Sequence, residues 1–312
     1  MDVSAFAKAH VPEITATAGL VTYAAAKNKL TPAGIVAGIF VAFIHMIHPW
    51  PSFFWLLIFF FFFGTVVTKI GHEAKAHLTA SATGGSGGEG ARSYVQVFAN
   101  SGFACFLIGL HAFLLNSTPF ISSHVAMFAG PYFPTLQRLL PIGIVAQYAA
   151  VAADTFSSEL GILSRGQPFM ITAPWKKVPK GTNGGVTVDG LVYGALGSVL
   201  LTAVASFALF LAPPHKSMDV RAFVLLTASG LAGSIIDSVL GALLQVTVTD
   251  KGSGKVVEGA GGQRVQVLPN GSRVQAGQDL LTNNGVNFVM AATASLGAMG
   301  VAYVLGYGLV AQ

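Results

Sequence analysis

Charge is what this chain most conspicuously lacks: of 312 residues, only 9% are Asp, Glu, Lys or Arg. A soluble domain carries about 25% charged residues because its surface must be hydrated. That deficit, with 53% apolar residues and a mean hydropathy of +0.66, excludes an ordinary water-soluble domain. Cysteine is nearly absent too. Cys105 stands alone inside an apolar stretch, which excludes a disulfide framework and a thiolate metal site. No basic helix or aromatic-basic patch is present, so the net charge of +5 does not point to nucleic acid. The first 30 residues lack both a basic n-region with an apolar core and an Arg-rich bias, and neither a signal peptide nor a transit peptide is expected. The eight histidines are scattered and form no metal set; His45/His48 and His72/His77 read as interfacial or solvated.

What is abundant is apolar span. Segments of roughly 17–25 mainly apolar residues can cross a bilayer as helix. They fall near 11–26, 32–48, 51–68, 94–115, 135–153, 187–212, 220–246 and 285–310. The expected fold is therefore an all-α polytopic membrane protein of about eight transmembrane helices, forming a single integral domain over 1–312. His48-Pro49-Trp50-Pro51 reads as a tight turn between the second and third spans, and the Phe-rich third span faces lipid.

Basic residues distribute unequally between the loops. Lys27, Lys29, Lys69, Lys75, Arg92, Arg165, Lys176, Lys177, Lys180, Lys251, Lys255, Arg264 and Arg273 fall on one side. These are thirteen of the 17, and the positive-inside rule places that side in the cytosol with both termini opposite. Asn116-Ser117-Thr118 is a glycosylation sequon on the lumenal side. Three basic-side loops stand out. The loop at 69–93 contains Gly84-Gly85-Ser86-Gly87-Gly88 and reads as a flexible linker. The loop at 164–186 is rich in Lys and Gly. The insertion at 247–282 carries alternating Val246-Thr247-Val248 and Arg264-Val265-Gln266-Val267, then Asn270-Gly271 and Arg273-Val274, which reads as a small β-hairpin with a primed turn.

Ionisable groups inside spans are expensive and mark function by default. Asp237 lies deep in the seventh span with Gly233 and Gly241 at i−4 and i+4, so the small residues on its face admit a neighbour or a ligand. The plain alternative is a packing face whose carboxylate bonds another helix. Asp154 and Glu159 close the fifth span; five residues apart, they point about 140° from one another on a regular helix. Asp154 aligns with Ser157 and Ser158, and a solvated helix end is the alternative for Glu159.

Lys176, Lys177 and Lys180 precede Gly181-Thr182-Asn183-Gly184-Gly185 and a helix start, the ingredients of a phosphate nest, although no Walker motif is present. Asn283, Asn284 and Asn287 open the last span, and Asn100 lies inside the fourth. Carboxylate and amide oxygens suit Mg²⁺, which takes one or two carboxylates plus substrate phosphates.

These segments together carry a likeness. The chain resembles the transmembrane protein 19 family, which includes phytyl-phosphate kinases of plants and cyanobacteria. The resemblance runs through Leu30-Thr31-Pro32-Ala33-Gly34, Phe63-Gly64-Thr65-Val66-Val67-Thr68-Lys69-Ile70-Gly71 and Arg92-Ser93-Tyr94-Val95-Gln96-Val97-Phe98-Ala99-Asn100. It continues in Ala153-Asp154-Thr155, Ser158-Glu159-Leu160-Gly161, Lys177-Val178-Pro179-Lys180-Gly181-Thr182-Asn183-Gly184-Gly185-Val186, the Asp237 segment and Asn283-Asn284-Gly285-Val286-Asn287-Phe288.

The resemblance implies a kinase converting an isoprenyl monophosphate (phytyl, geranylgeranyl or farnesyl) to the diphosphate, with CTP or ATP as donor. It implies Asp154, Asp237, Lys177 and Lys180 as catalytic groups, and Asp154, Glu159, Asp237, Asn283 and Asn287 around Mg²⁺. Lys69, Arg92, Asn100, Lys176, Gly181, Thr182, Asn183, Gly184, Gly185, Ser158 and Asn284 would contact nucleotide or phosphate. An endoplasmic-reticulum membrane is expected, with the plastid envelope as alternative; a homo-oligomer is left open. A transporter or lipid scramblase is the competing class, and it calls for polar residues spread across the bilayer or for inverted repeats.

Overall fold

The computed structural model describes residues 3–82, 90–116, 123–124, 133–213 and 215–311. Its long helices are α2 (Val11–Ala26), α3 (Pro32–Met46), α4 (Ser52–Lys69), α6 (Tyr94–Asn116), α7 (Phe133–Gly161), α8 (Val188–Leu211), α9 (Val220–Leu244) and α10 (Asn283–Leu305). Two short helices, α1 (Val3–Ala9) and α5 (His72–Ala76), flank them. Six of the described helices, α4 and α6 to α10, are long and apolar enough to cross a membrane. Helices α2 and α3 occupy the first two expected spans but are only 16 and 15 residues long. The Gly84-to-Gly88 run lies outside the described residues, as do Ser117 and Thr118 of the sequon.

Helix α7 forms the axis of the bundle, wrapped by α4, α6, α8, α9 and α10. Its middle, Ile142 to Ala153, is buried throughout. Water cannot drive helices together inside a bilayer, so close packing of small residues must. Alanines 149, 150, 152 and 153 supply one side of that packing. Glycines of α8 and α9 supply the other: a Cβ at Gly197 would stand 2.8 Å from the Ala152 carbonyl oxygen, and one at Gly233 2.5 Å from the Ala150 Cβ. Near its end, Gly161 would meet the Gly190 Cα at 2.8 Å. Helix α7 runs eight residues past the expected 153 and stays unbroken through Asp154 and Glu159.

The two ends of the bundle differ. At one end gather the loops that carry the thirteen basic residues. Leu30 bridges Arg92; strand β1 (Ala80–Ser81) pairs in parallel with β6 (Val257–Glu258); Asn183 Nδ2 donates to the Val246 carbonyl at 2.8 Å. The loop at 164–186 folds as a three-stranded sheet of β2 (Phe169–Met170), β3 (Ala173–Lys177) and β4 (Gly185–Val186), with β2 central. In the insertion, β5 (Thr247–Asp250) pairs antiparallel with β7 (Arg273–Ala276), Thr247 opposite Ala276.

The insertion thus carries a small antiparallel pair, as expected, but its strands and turn fall elsewhere than expected. Residues 264–267 form no strand, and Asn270-Gly271 does not join the two paired strands. Gly271 N donates to the Leu268 carbonyl at 3.0 Å, with Asn270 at φ +62. Proline at the second turn position and a positive φ at the third make the type II pattern, which does not share the twist of a two-residue hairpin.

At the other end, buried histidines lock the helices. His48 Nε2 lies 2.9 Å from His111 Nδ1, and His45 Nε2 lies 2.6 Å from the Tyr148 hydroxyl. The expectation that His45 and His48 are interfacial or solvated is therefore corrected: both are buried, because each finds a ring or hydroxyl partner on another helix. His72 and His77 are exposed.

The same end holds the start of α9. Asp219 caps it, accepting from Arg221 N at 2.8 Å, and pairs with the Arg221 guanidinium at 2.6 Å. The Arg221 hydrogen bonds hold the Asp219 carboxyl below its ordinary pKa. A carboxylate so depressed stabilises the fold above its unfolded pKa, and the contribution is lost as pH falls through the folded value.

Two outcomes follow. Gly233→Val overpacks the α7–α9 contact and lowers stability by about 1–3 kcal/mol in detergent melting. Asp219→Ala costs about 1 kcal/mol near neutrality, and its difference from the parent narrows as pH drops through the acidic range.

Candidate functional site

The caps at the basic end show how the site is built. Thr31, Thr187 and Thr282 each accept a hydrogen bond from the glycine three residues on, Gly34, Gly190 and Gly285, at 3.0–3.2 Å. Ser93 N donates to Gln96 Oε1 at 2.9 Å at the start of α6. The positive ends of α3, α6, α8 and α10 are thus all presented at one level. Two lysines serve the helices that end there: Lys75 Nζ donates to the Val67 and Thr68 carbonyls, and Lys180 Nζ to those of Ile162 and Ser164.

Between these ends lies a cavity of about 450 Å³. Asp154 of α7 and Asp237 of α9 lie in its wall, deep within the bundle but facing the open space, and close enough to repel one another. Asn287 sits between Asp237 and Asn100. With its amide nitrogen turned to the acceptors it donates to Asp237 Oδ2 at 3.2 Å and to the Asn283 carbonyl at 3.0 Å. The other end of that amide is 3.5 Å from Asn100 Oδ1. Asn100 is held from below by Gln147, whose Nε2 donates to its carbonyl at 2.9 Å.

Other singled-out residues take different partners. Glu159 also faces the cavity, but its carboxylate engages Lys75 Nζ at 2.6 Å and Thr68 Oγ1 at 2.8 Å rather than Asp154. Arg92 lines the wall, with Nη2 3.4 Å from Thr68 Oγ1. Ser158 bonds back to the Asp154 carbonyl. Asn284 Nδ2 donates to the Gly261 carbonyl at 3.0 Å, pinning the insertion over the site.

The glycine loop at 181–185 also borders the cavity, yet several of its amides are committed. Thr182 N bonds the Pro179 carbonyl, Asn183 N the Thr247 hydroxyl, and Gly185 N the Thr182 carbonyl. Gly184 takes φ +77 against the backbone of Ala242 in α9, where no side chain fits. This loop is docked on α9 as a tight turn. Lys69, Lys176 and Lys177 do not line the cavity: Lys69 lies over the Tyr23 ring and Lys177 over Phe169.

The cavity also contains groups that motif reading passed over: Lys29, Lys75, Thr68 and Arg264, the last paired with Asp279 at 2.8 Å. Among the described residues no cluster of three His, Cys, Asp or Glu gathers as a metal site.

Fold and site together define a polytopic membrane protein with a polar, charge-lined chamber open at one membrane face. The integral membrane protein DUF92 family matches residues 15–295, and the chain belongs to that family. It is similar to Protein PGR of Arabidopsis thaliana, 34% identical over 282 residues, covering 86% of this chain and 88% of that protein. An uncharacterized membrane protein of Methanocaldococcus jannaschii is 40% identical over 104 residues, 33% of this chain and 40% of its own length. Protein VTE6, chloroplastic, of Arabidopsis thaliana is 31% identical over 108 residues, 35% of this chain and 30% of its own. No solved structure matches the chain.

Asp154 and Asp237 face one chamber in the bundle interior, and like charges confined together repel. Asp237→Asn removes that repulsion, and the expected result is a melting temperature in chelator about 2–4 °C above the parent; a fall of that size would mean that the carboxylate is a structural acceptor.

Proposed function

We propose that this protein is a membrane-embedded kinase that phosphorylates an isoprenyl monophosphate to the diphosphate, taking the phosphoryl group from CTP or ATP with Mg²⁺. The observation that carries this reading is the Asp154–Asp237 pair in the wall of a chamber ringed by helix N-termini and cations. Such a chamber suits polyphosphate, because amide dipoles and basic side chains favour anions. Its position at the end of apolar helices suits a substrate with a charged head and a lipid tail. The likeness to the transmembrane protein 19 family and its phytyl-phosphate kinases supports the same chemistry. The chloroplastic designation of the VTE6 relative favours a plastid membrane over the endoplasmic reticulum, with the basic face toward the compartment that holds the nucleotide.

The residues fit the metal. Mg²⁺ prefers carboxylate oxygens and leaves positions for phosphate, and Asp154 and Asp237 would hold it; bound there it would neutralise charge on the phosphoryl oxygens. The chain's own part is positional. Asn287 orients the Asp237 carboxylate, and Arg92 draws phosphate oxygens into the chamber. An oxygen of the acceptor phosphate forms the new bond to the γ-phosphorus while the bond to the bridging β–γ oxygen breaks, and the nucleoside diphosphate leaves. No general base is needed, because the attacking oxygen is already anionic.

The test is transfer of radiolabel from the γ-position of ATP or CTP to farnesyl, geranylgeranyl and phytyl monophosphates by purified protein. Asp154→Asn and Asp237→Asn should each lower the rate by at least about a hundredfold and abolish the stabilisation that added Mg²⁺ gives the parent in thermal melts. Absence of transfer to all three acceptors would end the kinase reading; undiminished activity in both variants would remove the metal role.

A further inference from the structure

One corner of the chamber is built differently from the rest. The backbone of Arg92 is clamped to the connection between α2 and α3: Arg92 N donates to the Lys29 carbonyl at 2.9 Å, and Thr31 N to the Arg92 carbonyl at 3.0 Å. A Cβ at Gly34 would stand 2.6 Å from that same carbonyl, so glycine lets the first turn of α3 close on the clamp. Two basic side chains, Lys29 and Arg92, are thereby fixed on neighbouring backbones at the chamber's edge. Arg92 reaches toward Thr68. The Lys29 ammonium makes no hydrogen bond or ion pair among the described residues, although it is only partly exposed. An ammonium so placed at the chamber's edge is available to an anion.

Immediately below this corner the surface turns apolar. The N-terminal parts of α3 and α6 expose Val36 and Phe40, and Tyr94, Val95 and Phe98; the Phe40 and Phe98 rings lie edge to face, 6.2 Å apart. A lipid-facing aromatic seam thus ends at a pair of cations. The carboxylates and Asn287 lie on α7, α9 and α10 instead.

We propose that the Lys29/Arg92 corner is the subsite for the phosphomonoester head of the lipid substrate, its tail lying along the Phe40–Phe98 seam, while the donor nucleotide occupies the side under the insertion. The proposal rests on the kinase reading for its biological use, though not for its test. It separates the two phosphates the reaction must bring together. The acceptor enters from the lipid side between α3 and α6, and the donor enters from the aqueous side, where Arg264, Asn283 and Asn284 border the chamber.

Equilibrium binding of radiolabelled farnesyl monophosphate to the purified full chain tests it, with farnesol and inorganic phosphate as competitors. Lys29→Ala should weaken binding by about tenfold, Lys29→Arg should restore it, and affinity for a non-hydrolysable nucleotide should be the same in all three. Neither competitor should displace the ligand as well as unlabelled farnesyl monophosphate does, since each lacks half of it. Lys216→Ala, at the opposite end of the bundle, should bind as the parent does. Unchanged binding in Lys29→Ala would overturn the subsite, as would equal displacement by inorganic phosphate; a melting temperature matching the parent excludes misfolding as the cause of a loss. If the parent binds farnesyl monophosphate through Lys29 yet transfers no phosphate, the kinase reading falls and the subsite stands.

Discussion

Everything at the site depends on how closely α8 and α9 approach α7. The glycines at 197 and 233 lie on α7 backbone or alanine Cβ atoms, at separations that leave no room for a side chain. Van der Waals contact between small residues is the main attraction available to helices in lipid. Here it has a second consequence. By drawing α9 against α7, the Gly233 contact with Ala150 sets Asp237, one turn further along α9, near Asp154, one turn further along α7. The two helices run in the same sense through the bundle, so the tight seam that holds them together also brings two like charges to one level.

That confinement needs compensation, and the basic end supplies it. Threonine caps present the N-termini of α3, α8 and α10; Lys75 covers C-terminal carbonyls of α4, and Lys180 those of the turn after α7. Each device is worth little alone, about 1 kcal/mol for a cap. Together they orient the backbone dipoles so that the chamber's rim favours anions while its wall carries the carboxylates. Negative groups below and positive groups around are what the proposed phosphate chain and its divalent cation would require.

Much of this was legible in the sequence, and the failures have physical causes. Helix positions followed from apolar span length, which the bilayer imposes with little freedom. Asp154, Asp237, Asn100 and Asn287 were legible because a polar group inside a span has so few innocent explanations. The 140° between Asp154 and Glu159 also carried through, since α7 stays helical and Glu159 turns to Lys75. The loops were harder. Residues 181–185 look like an anion nest by composition, but whether an amide is available depends on tertiary partners such as Thr247, 64 residues away. Lys29 and Lys75 were visible only as topology charges, because nothing local distinguishes a lysine that lines a chamber from one that faces water. The spacing Thr-x-x-Gly at 31, 187 and 282 was a signal in plain view: it recurs where three helices begin at the same face.

The opposite end of the bundle argues against a through-passage. A transporter pathway needs polar groups that water or substrate can reach from both faces. Among the described residues, the histidines in the interior of the far end are buried and matched, His48 with His111 and His45 with Tyr148, with Trp50 and Phe53 packed on His48. Opening a route there would break these two hydrogen bonds and expose aromatic surface. Among the described residues, the chamber is lined from the basic end of the helices, and the interior toward the far end is closed by packing.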